Sequence, residues 1–99
     1  MYQQIEKEMR HVAQTRGFKL GSHAANALRD DQFTAADLAH CFQHGTIVSD
    51  QYDSDLDDVK YEWHGESLDG REIAMITKLT YSGNVFIITV FWLQWIDYE

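Results

Sequence analysis

The sequence predicts an α+β domain in which two to three N-terminal helices pack on a four-stranded antiparallel sheet. Three observations lead there. Apolar residues recur every three or four positions in the first half of the chain, the period of an amphipathic helix. The second half turns β-branched and alternates with a period of two. Asp69-Gly70 and Ser82-Gly83-Asn84 punctuate that half as turns. With 99 residues the chain has length for one core, since a domain of this size buries roughly 60 to 70% of its unfolded surface. A single domain over 1–99 is the expectation, with an N-terminal helix in 1–16 and an aromatic C-terminal extension in 93–99.

Tyr2, Ile5, Met9 and Val12 form the stripe of the first helix, with Glu6, Lys7 and Arg10 between them, and Gly17 is suited to stop it. Ser22 is expected to cap the second helix. Its stripe of Ala24, Ala27 and Leu28 is small, so it must pack closely on something larger, a sheet. In the third helix Thr34 reads as the N-cap and Asp37 as a short capping-box partner, with Phe33 and Leu38 in the staple positions. Gly45 is suited to a left-handed C-cap.

Thr46, Ile47 and Val48 begin the strand half, and residues 49–58 read as an acidic loop. Val59, Tyr61 and Trp63 alternate with Lys60, Glu62 and His64, which gives that strand one buried and one solvated face. A further strand is expected in 73–79. The run 85–92 is apolar on both faces, as expected of a strand covered on both sides or flanked by a helix layer. Residues 93–99 are too apolar for a free tail, so they extend that strand or form a contact surface, through which homo-oligomers would assemble.

Sixteen acidic residues against eight Lys and Arg give a net charge of -8, a field that repels phosphate backbones and attracts basic partners. The single cysteine, Cys41, makes no intramolecular disulfide and reads as a buried, inert thiol, which favours a reducing compartment. There is no signal-peptide pattern and no apolar stretch approaching the ~20 residues of a membrane span. A cytoplasmic protein without membrane contact is expected.

His40 and His44 lie one helical turn apart, a spacing that can serve a metal, but nothing in the sequence fixes a third ligand and a solvated helix face is the preferred reading. Asp53, Asp55 and Asp57 resemble the start of a calcium loop. Asp58 stands where that loop needs glycine and His64 where it needs a bidentate glutamate, so neither metal nor cofactor is expected. His23, in the first turn of a helix, is either a general base or a histidine packed at the helix–sheet interface. His64, beside Glu62 on one strand face, poses the same choice. Thr89 interrupts an apolar strand, so its hydroxyl needs a partner.

Ser22-His23-Ala24, the 33–38 segment followed by Gly45-Thr46-Ile47-Val48, residues 61–65 with Leu68-Asp69-Gly70-Arg71, and 87–91 occur in an order that resembles a bacterial family, domain of unknown function 4258, over 21–92. Its members look like RelE-type and BrnT-type ribonuclease toxins, so the resemblance implies a RelE-like fold with His23 and Thr89 at family motif positions. The family's helix usually carries arginines four and eight residues after the histidine, where this chain has Ala27 and Asp31.

Two functions follow. The first is a cytoplasmic protein-interaction module, an inhibitor or accessory factor, that holds a basic protein partner through Asp53, Asp55, Asp57 and Asp58 and the aromatic residues Trp92, Trp95 and Tyr98. The alternative is a metal-independent endoribonuclease of toxin type. In it His23 or His64 is the base, Tyr61 an ancillary acid, Arg29, Lys60 or Arg71 the cation, and Thr89 a cleft residue. The charge balance and the two missing arginines rank the enzyme second.

Overall fold

The computed structural model describes residues 1–93. Three helices, α1 (Gln3–Thr15), α2 (Ser22–Asp30) and α3 (Ala35–His44), accompany five strands, β1 (Phe18–Leu20), β2 (Thr46–Asp53), β3 (Asp58–Glu66), β4 (Glu72–Leu79) and β5 (Val85–Trp92). The strands form one sheet in the order β1-β5-β4-β3-β2. The α+β class is as expected, but the sheet has five strands rather than four and is mixed, because β1 runs parallel to β5. A strand of three residues is too short for alternation to register in sequence. It exists because Phe18 and Leu20 find Val85 and Ile87 beside them. Among the described residues no helix is long and apolar enough to cross a membrane.

The helices share one face of the sheet, with α2 over β5 and α3 over β3. Met9 of α1, Ala24 and Ala27 of α2, and Leu38, Cys41 and Phe42 of α3 join Trp63, Ile73, Met75, Val85, Ile87 and Val90 in one core. Burial pushes the Cys41 thiol up to about 12, so it stays protonated and unreactive, as expected. Only the helix side of β5 is covered. Phe91 remains 40% exposed, so of the two arrangements expected for that strand it is the flanking helix layer that the structure has.

Thr34 and Asp37 form the expected capping box: the Asp37 N–H donates to Thr34 Oγ1 at 3.1 Å and the Thr34 N–H to Asp37 Oδ2 at 2.9 Å. Ser22 does not cap α2. It is the first helical residue, and Gly21 holds the N-cap without a side-chain bond. Gly17 takes a φ of 79° beyond the end of α1, as a stop glycine should.

Gly45 is not a left-handed cap, since its φ is -88°. It is needed for close approach. A Cβ there would lie 2.5 Å from the Cys41 carbonyl oxygen and 2.6 Å from that of His64. Gly45→Ala is therefore expected to destabilise the fold by about 1–3 kcal/mol, since backbone must move to admit the methyl. A urea midpoint equal to wild type would contradict this contact.

The acidic segment is also corrected. Most of 49–58 is strand, leaving only 54–57 as the turn of a β2–β3 hairpin, because Asp53 pairs directly with Asp58. Pairing of Tyr52 with Val59 and of Asp50 with Tyr61 carries the ladder out to residues that alone disfavour strands. β2 lies at the edge of the sheet and is exposed along most of its length.

Candidate functional site

The hairpin gathers the acidic candidates. Asp53 Oδ1 accepts from the Asp55 N–H at 3.0 Å and the Leu56 N–H at 3.4 Å, which folds the turn around one carboxylate. Asp57, at a φ of 52°, accepts from the Tyr52 hydroxyl at 2.7 Å. That bond pushes the Tyr52 phenol up, with lesser contributions from burial and from Asp53. Two lysines answer part of the charge: Lys60 Nζ lies 3.8 Å from Asp53 Oδ2, and Lys78 Nζ lies 3.0 Å from Asp58 Oδ2. Asp55 and Asp57 stay exposed at the tip beside Tyr52 and Leu56, which are 59% and 61% exposed.

The enzyme candidates are divided between faces. Tyr61, opposite Thr77, is on the helix-covered side, where its ring meets Tyr2 edge-on at 6.5 Å. His23 is exposed on α2, on that same side, and does not pack at the helix–sheet interface. His64 and Thr89 lie on the opposite, helix-free side: His64 is registered with Ala74, and Thr89 with Ile76. Thr89 is only half-buried there, so its hydroxyl is not sealed in apolar surroundings. His64 donates from Nε2 to Glu62 Oε2 at 2.6 Å.

Arg71 sits at the turn before β4, where its Nε is 3.0 Å from Asp69 Oδ2 and its guanidinium lies 3.9 Å over the Trp92 ring. Trp92 also stacks on Phe33 at 4.1 Å and donates to the Asp31 carbonyl at 3.0 Å. Both side chains thus hold a corner of the fold. Arg29 is exposed and bonds within α2, to Asn26 and Asp30. Trp95 and Tyr98 lie outside the described residues.

The His40 and His44 rings are 4.6 Å apart, and His40 Nδ1 donates to the Glu66 carbonyl at 2.9 Å. His44 and His64 line one cavity of about 480 Å3 with Glu66, Glu72 and Leu93. Among the described residues no group of three or more His, Cys, Asp or Glu is placed to hold a metal ion.

Two acidic residues escaped sequence reasoning. Glu8 of α1 and Asp50 of β2 line a second cavity of about 440 Å3 with Tyr2, Ile5 and Tyr61. Forty-eight positions separate Tyr2 from Asp50, so no local pattern reports this meeting. The only available signal was the alternation that sends Tyr61 to the helix side.

Comparison of the chain with protein-family models, curated proteins and solved structures returns no match.

Proposed function

We propose that this chain is a small acidic protein-interaction module, an inhibitor or accessory factor that holds a basic protein partner against its β2–β3 hairpin. The observation that carries this reading is the charge of one exposed edge hairpin. Asp50, Asp53, Asp55, Asp57 and Asp58 lie along it, while among the described residues only Lys60 and Lys78 form ion pairs with them. Exposed Tyr52 and Leu56 add apolar surface beside the acidic residues, the mixture of apolar and charged groups that an interface needs. Division of His23, Tyr61, His64 and Thr89 between two faces of the sheet favours this over the ribonuclease. The motif order in 21–92 supports kinship with the domain of unknown function 4258 family, which we propose alongside it.

Replacing Asp53, Asp55, Asp57 and Asp58 by asparagine takes the net charge from -8 to -4, by removal of four negative charges, and tests the reading. Affinity for a basic partner is expected to fall about 10- to 100-fold at low salt, with a smaller difference at high salt where screening already weakens both proteins. Equal affinities of wild type and variant across the salt range would remove the basis for the proposal.

A further inference from the structure

We infer that the cavity between the start of α1 and β2 is a receptor for one arginine side chain of the basic partner. This rests on the hairpin reading and assigns it a specific contact. The cavity, about 440 Å3, combines two carboxylates, Glu8 and Asp50, with the aromatic rings of Tyr2 and Tyr61 and the apolar side chain of Ile5. That combination suits a guanidinium. Its planar fork bonds carboxylates while its flat faces stack on aromatic rings, and a lysine ammonium supplies only a point charge.

The rings of Tyr2 and Tyr61 stand nearly perpendicular, at 78°, so they do not stack on each other. The Tyr2 hydroxyl reaches Asp50 Oδ1 at 3.4 Å, a long bond that leaves the carboxylate with capacity to accept. The negative potential is legible in the phenols: burial first, and then the Asp50 and Glu8 charges, push Tyr61 up from its ordinary value. Among the described residues no Lys or Arg side chain lines the cavity, whose remaining walls are Gln4 and the fully exposed Met1.

The two elements that carry the walls are joined: Glu6, between the lining residues Ile5 and Glu8, accepts the Ile47 N–H at 2.7 Å and ties α1 to β2. Asp50 shares its side of β2 with Tyr52, while Asp53 and Asp58 are registered on the other side with Lys60, so a partner seated in the cavity continues along the hairpin past Tyr52 to Asp55 and Asp57 at the tip.

Fluorescence anisotropy with labelled hexa-arginine and hexa-lysine peptides tests the inference at low and moderate salt. Wild type is expected to bind hexa-arginine at least about threefold more tightly than hexa-lysine, and Asp50→Asn and Glu8→Gln are each expected to weaken it about five- to tenfold. Tyr2→Leu should abolish the preference for arginine while retaining charge-driven binding. Far-UV circular dichroism melts check that each variant folds, and Glu8→Gln, on an exposed helical position, serves if Asp50→Asn does not. Wild-type affinity in the cavity variants, with binding lost in the four-asparagine hairpin variant, overturns the cavity and leaves the hairpin reading intact. Equal affinity for both peptides overturns the assignment to arginine. No binding of either peptide by wild type overturns both readings.

Discussion

Trp63→Ala is expected to lower stability by about 3–5 kcal/mol, the range for deleting a large buried aromatic side chain. Trp63 is fully buried at the centre of β3 and is the largest side chain in the core. Phe42 meets its ring edge-on at 5.1 Å, and the Arg10 guanidinium lies 5.6 Å from its centre. Arg10 in turn donates to the Phe42 carbonyl at 2.7 Å and the Gly45 carbonyl at 3.1 Å, so it holds the end of α3 against the ring. Removing the indole takes a surface from both α1 and α3. A domain of this size has about 5–15 kcal/mol in total, so the variant should melt roughly 15–30 °C lower or fail to fold.

Trp63→Phe separates packing from polarity. Trp63 Nε1 is buried and lacks a hydrogen-bond partner, a cost that phenylalanine removes. Loss of ring volume and relief of that cost oppose each other, and a net change under about 1.5 kcal/mol is expected. A melting temperature for Trp63→Phe as low as that of Trp63→Ala would show that the indole N–H is satisfied in solution.

Asp37→Ala should cost about 2–4 kcal/mol, more than an ordinary helix cap. Besides the bonds that close the capping box, Asp37 Oδ1 accepts the Leu68 N–H at 3.0 Å, which ties the start of α3 to the β3–β4 turn. Alanine strands both that N–H and the Thr34 N–H in a site where Asp37 itself is only 8% exposed. Burial opposes ionisation of Asp37, but the Leu68 and Thr34 N–H groups and the Thr34 hydroxyl outweigh it and hold the carboxyl below its ordinary 3.8. A folded value below the unfolded one means that the ionised carboxylate favours the folded state at pH above 3.8. That contribution disappears as pH falls through the lower folded value. The gap between wild type and Asp37→Ala in urea midpoint should therefore be constant from pH 7 to about pH 5 and shrink below pH 4. A gap independent of pH down to acid unfolding would refute the charge-based part of this account.

The helices were legible because their signals are local. The Thr34 and Asp37 capping box is a four-residue pattern, and the stripes of α1 and α2 repeat within one or two turns. The two turns of the later sheet were legible for the same reason, with Gly70 at a φ of 87° and Gly83 at 83°. What failed were the non-local readings. β1 depends on Val85–Ile87, more than sixty residues away, and Gly45 is small because the Cys41 and His64 carbonyls close on it. The acidic stretch reads as a loop because aspartate disfavours strands, while register with β3 overrides that preference.

The candidate site divides in the same way. Sequence located Asp53, Asp55, Asp57 and Asp58, since consecutive charges are visible without a fold. It could not show that Lys60 and Lys78 neutralise two of them, or that Asp50 looks across to Tyr2 and Glu8. Alternation put His64 and Tyr61 on opposite faces of β3 from the outset. Only the sheet order placed Thr89 on the face of His64 and away from α2.

The class of the fold, the capping box of α3, the glycine turns and the sign of the net charge stand in the sequence alone, because propensity, periodicity and charge are properties of neighbouring residues. The tertiary structure decided the fifth strand, the splitting of the enzyme candidates and the acidic aromatic cavity. Each of these is a meeting of residues distant along the chain, set by strand register and by which face the helices cover.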